Sequence, residues 1–376
     1  MPIVPEQPQD QLFMNQALRY AGLGLGETWP NPSVGCLIID AQSTLYISRT
    51  AHTGRPHAEE RALLKAGSRA FGATLYVTLE PCAHTSQRLS CVDAIIQAGV
   101  KRVVIATIDP DPRTNGRGIE KFLQAGLSVT TPCLEDVAKK YQAGFLSIQK
   151  RQRPWITLKM AASLDGKIAD DTGNGRWITN ERSRKRSHVL RAFHDAILVG
   201  IGTVLKDDPL LNCRLKRFGH RRALRIVLDS HLRIPLDSQL VQTASQYPTW
   251  IICLSGQNPL KFQQLTEKRV VVWPHADLSI PHLVRFLAER GLTRVLVEGG
   301  GTLNAAFLKE KMVDQLIIFR APIFLGEQGI SMTKTLSPVS IHHPYRFQRL
   351  RIKDLSGDIF EQYQMISAPD LDKVVD

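Results

Sequence analysis

Three side chains near the start of the chain have the types and spacing to hold a metal. His57 is followed two positions later by Glu59, and Cys82, preceded by Pro81, is followed by Cys91. Zinc accepts imidazole nitrogen and thiolate sulfur, and a catalytic zinc keeps three protein ligands with a fourth position open for water. One His and two Cys fill three corners of that tetrahedron. Glu59, not itself a ligand, is spaced to take a proton from water and hand it to a leaving amine. His57 and Cys91 both fall at predicted helix N-termini, where the dipole favours a thiolate. Cys36, Cys133, Cys213 and Cys253 lie in or beside apolar strands and read as core.

A second constellation lies far along the chain. Val297-Glu298-Gly299-Gly300-Gly301-Thr302 carries a strand through three glycines into a helix, and such a turn lets a phosphate approach free N–H groups. No G-x-G-x-x-G follows a strand with an acidic residue twenty positions on, so the dinucleotide fingerprint of Rossmann folds is absent. Ser163-Leu164-Asp165-Gly166-Lys167 predicts a sharp turn at a strand end, a weak signal on its own.

The elements that must position these residues alternate in type. Helices are predicted after Asp10 and over Pro56–Lys65, Cys91–Ala98 and Ile119–Ala125, with strands at Val34–Ile39, Thr74–Leu79, Arg102–Ala106 and Leu127–Thr130. Gln149 to Pro154 (QKRQRP) is basic, lacks apolar residues and ends in proline, which places a domain boundary there, between residues 148 and 149. Beyond it the pattern restarts, with strands at Trp155–Met160, Ala196–Val199, Arg225–Leu228, Thr249–Leu254, Arg269–Trp273, Arg294–Val297 and Gln315–Phe319. Strands separated by helices predict largely parallel sheets covered on both faces.

The 376 residues suffice for two domains, and 43% hydrophobic with 22% charged residues excludes collagen, disorder and a disulfide-stapled miniprotein. Lys and Arg number 48 against 35 Asp and Glu, so a net charge of +13 suggests anionic partners. The basic clusters at Arg182–Arg186 and Lys216–Arg225 have few aromatics between them, so the stacking platforms of a single-strand binder are missing. They read as solvated faces, and no nucleic-acid partner is expected. No apolar run is long enough to span a bilayer, and the first ten residues lack the pattern of a signal peptide. With few cysteines as well, a cytoplasmic protein without a membrane partner is expected.

His-x-Glu followed by Pro-Cys and a second Cys is the zinc deaminase signature, with wider Cys spacing than usual. That width, the TLEPC run ending at Cys82, NPSVG at Asn31–Gly35, GRPHAE at Gly54–Glu59, and DPDP with a later GRG at Asp109–Gly118 together resemble one family. It is the bifunctional riboflavin biosynthesis proteins, a diaminohydroxyphosphoribosylaminopyrimidine deaminase joined to a 5-amino-6-(5-phosphoribosylamino)uracil reductase. The resemblance covers residues about 10 to 365. It implies an α/β fold with a cytidine-deaminase-like three-layer domain followed by a dihydrofolate-reductase-like domain. Two departures stand out. The family's His-His-Gly-basic-Thr-Pro-Pro run reads His84 to Ser90 here, with Gln87 and Arg88 near the basic position, and Thr50 stands where the family has a substrate His.

The resemblance also implies roles. His57, Cys82 and Cys91 bind zinc, Glu59 shuttles protons, and Asn31 and His84 approach the pyrimidine. Ala162, Trp177, Thr203, Asp207, Ser230 and the segment Gly300, Gly301 and Thr302 contact NADPH. Arg191, Leu211, Arg214 and Glu298 hold the phosphorylated substrate, its phosphate taken by the two arginines, while Lys159 and Asp165 line the reacting sugar. A homo-oligomer acting on small phosphorylated pyrimidines is expected. Two other readings stay open at this point: a reductase with a drifted deaminase domain, and a nucleic-acid deaminase.

Overall fold

The structure is a computed structural model that describes residues 3–84, 89–173, 175, 177–334, 336 and 344–366. It divides into two compact units, Met1–Arg153 and Pro154–Asp376.

The first unit runs α1 (Asp10–Gly22), β1 (Gly35–Ile39), β2 (Leu45–Arg49), α2 (Ala58–Ala66), β3 (Thr74–Val77), α3 (Cys91–Gln97), β4 (Arg102–Ile105), α4 (Arg117–Gln124), β5 (Ser128–Thr130), α5 (Glu135–Tyr141) and α6 (Ala143–Arg151). Among the described residues its strands form one sheet in the order β2-β1-β3-β4-β5. Alternation along the strands feeds two cores. Cys36, Ile38, Leu75 and Val77 pack with Ala58 and Ala62 of α2 on one face, while Leu37 and Tyr76 pack with Met14, Ala17 and Leu18 of α1 on the other. The result is three layers. Arg102 secures the start of α1, donating to both carboxylate oxygens of buried Asp10 at 2.9 and 2.7 Å.

This sheet is less parallel than the sequence pattern predicts. β3, β4 and β5 are parallel, but β1 runs antiparallel to both β2 and β3. The cause is the short turn after β1, where the Asp40 carboxylate accepts the N–H groups of Gln42 and Thr44 and folds β2 straight back. The basic run at the domain boundary also differs from expectation. α6 continues through Lys150 to Arg151, so a division at 148/149 falls within a helix. Cations in a helix's last turn interact favourably with its dipole, so a charged run without apolar residues need not be a linker.

The second unit runs β6 (Trp155–Ala162), β7 (Lys167–Ala169), α7 (Glu181–Ala192), β8 (Ala196–Gly200), α8 (Ile201–Asp207), β9 (Leu224–Leu228), α9 (Gln239–Gln242), β10 (Thr249–Leu254), α10 (Pro259–Glu267), β11 (Val271–His275), α11 (Ile280–Glu289), β12 (Arg294–Val297), α12 (Gly301–Lys309), β13 (Gln315–Arg320), β14 (Ile330–Ser331), β15 (Phe347–Leu355) and β16 (Asp358–Met365). Its large sheet has the order β11-β10-β9-β8-β12-β6-β13-β16-β15 among the described residues. The strands from β11 to β13 are parallel, as the alternation predicts, and the β15–β16 hairpin adds antiparallel to β13. β7 and β14 form a small separate ribbon. Cys36, Cys133, Cys213 and Cys253 are all buried. No helix among the described residues is long and apolar enough to cross a membrane.

Candidate active sites

In the first unit, the sheet delivers three ligand-type side chains to one point. His57 precedes the first residue of α2, where its backbone N–H donates to Glu60 at 3.2 Å. Cys82 follows the Glu80-Pro81 turn after β3, and Cys91 opens α3, whose start is capped by Ser90 accepting the Asp93 N–H at 3.1 Å. The His57 Nδ1 lies 3.3 Å from the Cys91 sulfur and 3.8 Å from that of Cys82. The three ligand atoms all lie within 4.8 Å of one another. The Cys91 thiol and His57 together pull Cys82 down to about 4. The charge formed there, with burial, pushes Cys91 up.

Glu59 is 3% exposed, and burial pushes its carboxyl up to about 7 even though His57 opposes the shift. Its Oε2 and the Nδ1 of His84 are both buried without a protein hydrogen-bond partner, as polar atoms facing a ligand would be. One imidazole, two sulfurs at mutual ligand distance and a buried carboxylate with one unpartnered oxygen beside them fit a catalytic zinc.

Glu80 shapes the rim, and the sequence reading does not single it out. Its Oε2 accepts the N–H groups of Asp109 and Gly116, and its Oε1 accepts that of Gly118, drawing the DPDP and GRG segments onto the turn that carries Cys82. Asn31 packs on Gly54, which has φ +89°, and a Cβ there would fall 2.2 Å from the Asn31 Nδ2. Thr50, at the position of the family's substrate His, is buried, with its hydroxyl accepting the Val34 N–H at 2.9 Å and donating to the Pro32 carbonyl. It braces the loop that carries Asn31. Gln87 and Arg88 lie outside the described residues.

In the second unit, a cavity of about 1200 Å³ opens at the carboxyl ends of the parallel strands, the usual ligand position in such sheets. Of the residues singled out from sequence, Lys159, Trp177, Arg191, Thr203, Asp207 and Leu211 line it, as do Arg214, Ser230, Glu298, Gly300, Gly301 and Thr302. Ala162 and Asp165 do not. Ala162 is fully buried, and its neighbour Ala161 reaches the cavity instead, since side chains alternate along a strand. The Asp165 carboxylate is taken up by the Ser163 hydroxyl and the N–H groups of Leu325 and Gly326, so it braces a turn.

At one end of the cavity the Arg191 guanidinium grips both Glu298 oxygens at 2.7 and 2.9 Å, and Lys159 Nζ lies 3.6 Å from the same carboxylate. Burial pushes Glu298 up, but the charges of Arg191 and Lys159 outweigh it and hold the carboxyl at about 2. Burial and Arg191 lower the Lys159 ammonium despite Glu298. The phosphate contact expected of Arg191 is therefore not the one its fork makes; exposed Arg214 is the other arginine of that pair. Trp177 has φ +69° and carries the Arg184 guanidinium 4.3 Å above its ring.

The glycine turn leads into α12 with Gly300 as its first flanking residue and no side-chain cap, and Gly301, Thr302 and Leu303 of its first turn line the cavity. A Cβ on Gly301 would fall 2.4 Å from the Ser331 carbonyl, so only glycine fits. An uncapped helix start, a dinucleotide-sized cavity and lining cations fit a phosphorylated cofactor. The sequence reading does not single out Lys206 and Arg233, which also line the cavity. For Arg233 the available signal was a basic residue three positions past Ser230 at a strand end.

Residues 7–107 match the cytidine and deoxycytidylate deaminase zinc-binding region, and residues 154–360 match the RibD C-terminal domain. Riboflavin biosynthesis protein RibD of Aquifex aeolicus (strain VF5) is 38% identical over 357 residues, covering 94% of this chain and 99% of the relative. RibD of Escherichia coli (strain K12) is 34% identical over 356 residues, covering 91% and 96%. Among solved structures, form 1 of Acinetobacter baumannii RibD superposes with a TM-score of 0.85 at 34% identity over 96% of this chain and all of that one. The crystal structure of a diaminohydroxyphosphoribosylaminopyrimidine deaminase/5-amino-6-(5-phosphoribosylamino)uracil reductase from Thermotoga maritima does so with 0.85 at 32% identity, covering 95% and 99%. With both halves matched and relatives aligned nearly end to end, the chain belongs to the RibD family of riboflavin biosynthesis proteins.

Proposed function

We propose that the protein is a bifunctional enzyme of riboflavin biosynthesis. It deaminates 2,5-diamino-6-(ribosylamino)-4(3H)-pyrimidinone 5′-phosphate hydrolytically with zinc. It then reduces the ribosyl side chain of 5-amino-6-(5-phosphoribosylamino)uracil to ribityl with NADPH. The deaminase is assigned to the first unit and the reductase to the second, with the division expected at 148/149 moved past the end of α6, between Arg153 and Pro154. The observation that carries the reading is the convergence of His57, Cys82 and Cys91 within 4.8 Å beside a buried, unpartnered Glu59 oxygen.

When bound, zinc supplies Lewis acidity to a water and NADPH supplies the reducing electrons. His57, Cys82 and Cys91 hold the metal. Glu59, its carboxyl raised by burial, takes a proton at Oε2 from the attacking water and passes it to the leaving amine. Asn31 and His84 orient the pyrimidine at the rim.

In the reductase the helix start at Gly300–Thr302 cradles the cofactor's phosphates, with Thr203, Asp207, Ser230 and Trp177 along its length. Arg191 fixes Glu298, and the pair with Leu211 holds the substrate, leaving Arg214 for its phosphate. Lys159, with its ammonium lowered by burial, gives up a proton to the ring oxygen as the ribose opens. A homo-oligomer in the cytoplasm completes the reading.

The test incubates purified protein with the diaminopyrimidine phosphate, with and without NADPH. Ammonia release without NADPH, then NADPH oxidation coupled to it, is the expected result. NADPH oxidation only with pre-deaminated substrate would overturn the bifunctional assignment.

A further inference from the structure

The segment between α8 and β9 brings Leu211 and Arg214 to the cavity, and its own backbone does little to hold it there. Among the described residues, positions 209–214 make no backbone-to-backbone hydrogen bond. Leu211 is buried, lines the cavity and sits at φ +47°. A residue with a Cβ stays in that left-handed region only where its surroundings fix it. Side chains supply the restraint. On one side of Leu211, the Asn212 carbonyl is met by His188 Nδ1 and Arg191 Nη1 at 3.1 and 3.2 Å. On the other, the Leu210 carbonyl accepts from Arg225 Nη1 at 3.1 Å.

Arg225, the second residue of β9, is fully buried, and no carboxylate pairs with it among the described residues. Burial pushes its guanidinium down to about 10, which leaves it charged at neutral pH. A buried cation without an anion is costly, and an apolar side chain could fill the same space. The fork does what no apolar residue can: it collects three carbonyls from three segments. These are Leu210, Leu240 of α9 at 2.9 Å and Tyr247 at 3.0 Å. The hydroxyls of Thr243 and Thr249 take its other N–H groups. The Tyr247 hydroxyl in turn accepts Asn212 Nδ2 at 3.2 Å, so both flanks of Leu211 are tied to groups that Arg225 holds.

We infer that Arg225 is a positioning residue for the reductase: by fixing the Leu210 carbonyl it keeps Leu211 and Arg214 set against the substrate. The inference rests on the substrate-holding roles proposed for those two residues. Steady-state NADPH oxidation with 5-amino-6-(5-phosphoribosylamino)uracil, alongside calorimetric titration with NADPH, tests it on the full chain. Arg225→Lys keeps the charge and loses the fork, while Arg225→Met removes both. Each is expected to raise KM for the pyrimidine about tenfold or more, the scale of a hydrogen bond to a charged group, and to move kcat less. NADPH affinity should stay within about twofold of wild type, well under the effect of one such bond. An unchanged KM would overturn the inference. A loss of NADPH affinity as large as the rise in KM, or failure of both variants to fold, would also overturn it, marking Arg225 as a general brace. Arg214→Gln is the control: if it leaves KM unchanged, the substrate-holding reading of the segment fails, and the role of Arg225 with it.

Discussion

Arg191 on α7 and Glu298 after β12, far apart in sequence, meet through two parallel hydrogen bonds at 2.7 and 2.9 Å, with side chains 17% and 7% exposed. The pair ties a helix to the glycine turn before α12, and Lys159 makes the cluster one cation in excess. Removing one partner of such a pair leaves an uncompensated buried charge. Glu298→Gln keeps the shape and removes the anion between two cations. It is expected to cost roughly 3 kcal/mol in urea unfolding of the second unit and to slow NADPH oxidation. Ammonia release from the first unit should stay at its wild-type rate.

In the first unit, the proton-carrying role proposed for Glu59 and the metal-holding role proposed for His57, Cys82 and Cys91 should be separable. Glu59→Gln leaves His57, Cys82 and Cys91 in place, so about one zinc per chain should remain by elemental analysis. Ammonia release should fall by about 10²–10⁴-fold, the range for losing a general acid–base. Cys91→Ala should instead bring zinc below about half an equivalent, because two ligands remain. Loss of zinc in the Glu59 variant would place that carboxylate among the ligands.

Which residues gather at the two candidate sites was largely legible in the sequence because they sit at strand ends beside turns and helix starts, where local pattern is informative. His57, Glu59, Cys82 and Cys91 are the clearest case, and the glycine turn at Gly299–Gly301 is another. What was not legible depends on long-range pairing. Nothing local says that the Arg191 fork meets Glu298, or that Asp165 bonds Leu325 and Gly326 across the fold. The β1–β2 hairpin was hidden because its turn depends on one carboxylate, that of Asp40. Ala162 differs from Ala161 only by the pleat, which no motif encodes. The helix through Lys150 and Arg151 was masked by charges that face solvent at its end.

Gly54 offers a test of substrate placement apart from metal binding. Its φ of +89° is strained for any residue with a Cβ, and that Cβ would fall 2.2 Å from the Asn31 Nδ2. Gly54→Ala should therefore push Asn31 away while leaving His57 able to bind metal. The expected outcome is wild-type zinc content with a raised KM for the diaminopyrimidine phosphate. An unchanged KM would show that Asn31 does not touch the substrate.

The second unit carries its own acid sensitivity in His194. This residue is 3% exposed, with Nδ1 donating to the Leu190 carbonyl at 2.7 Å and Nε2 lying 2.9 Å from the Thr157 hydroxyl. Burial first, and then the Arg294 charge, hold it down at about 3 against Glu298. An unfolded histidine titrates near 6.5, so between about 3 and 6.5 the unfolded chain binds a proton that the folded chain does not. The contribution of His194 is therefore fully present above 6.5 and is lost as pH falls, by up to ~1.4 kcal/mol for each pH unit. His194→Gln should be less stable than wild type at pH 7.5, yet lose less between pH 7.5 and 5.5 in urea titrations followed by tryptophan fluorescence. Parallel losses in the two proteins over that window would mean that other groups set the acid sensitivity of this unit.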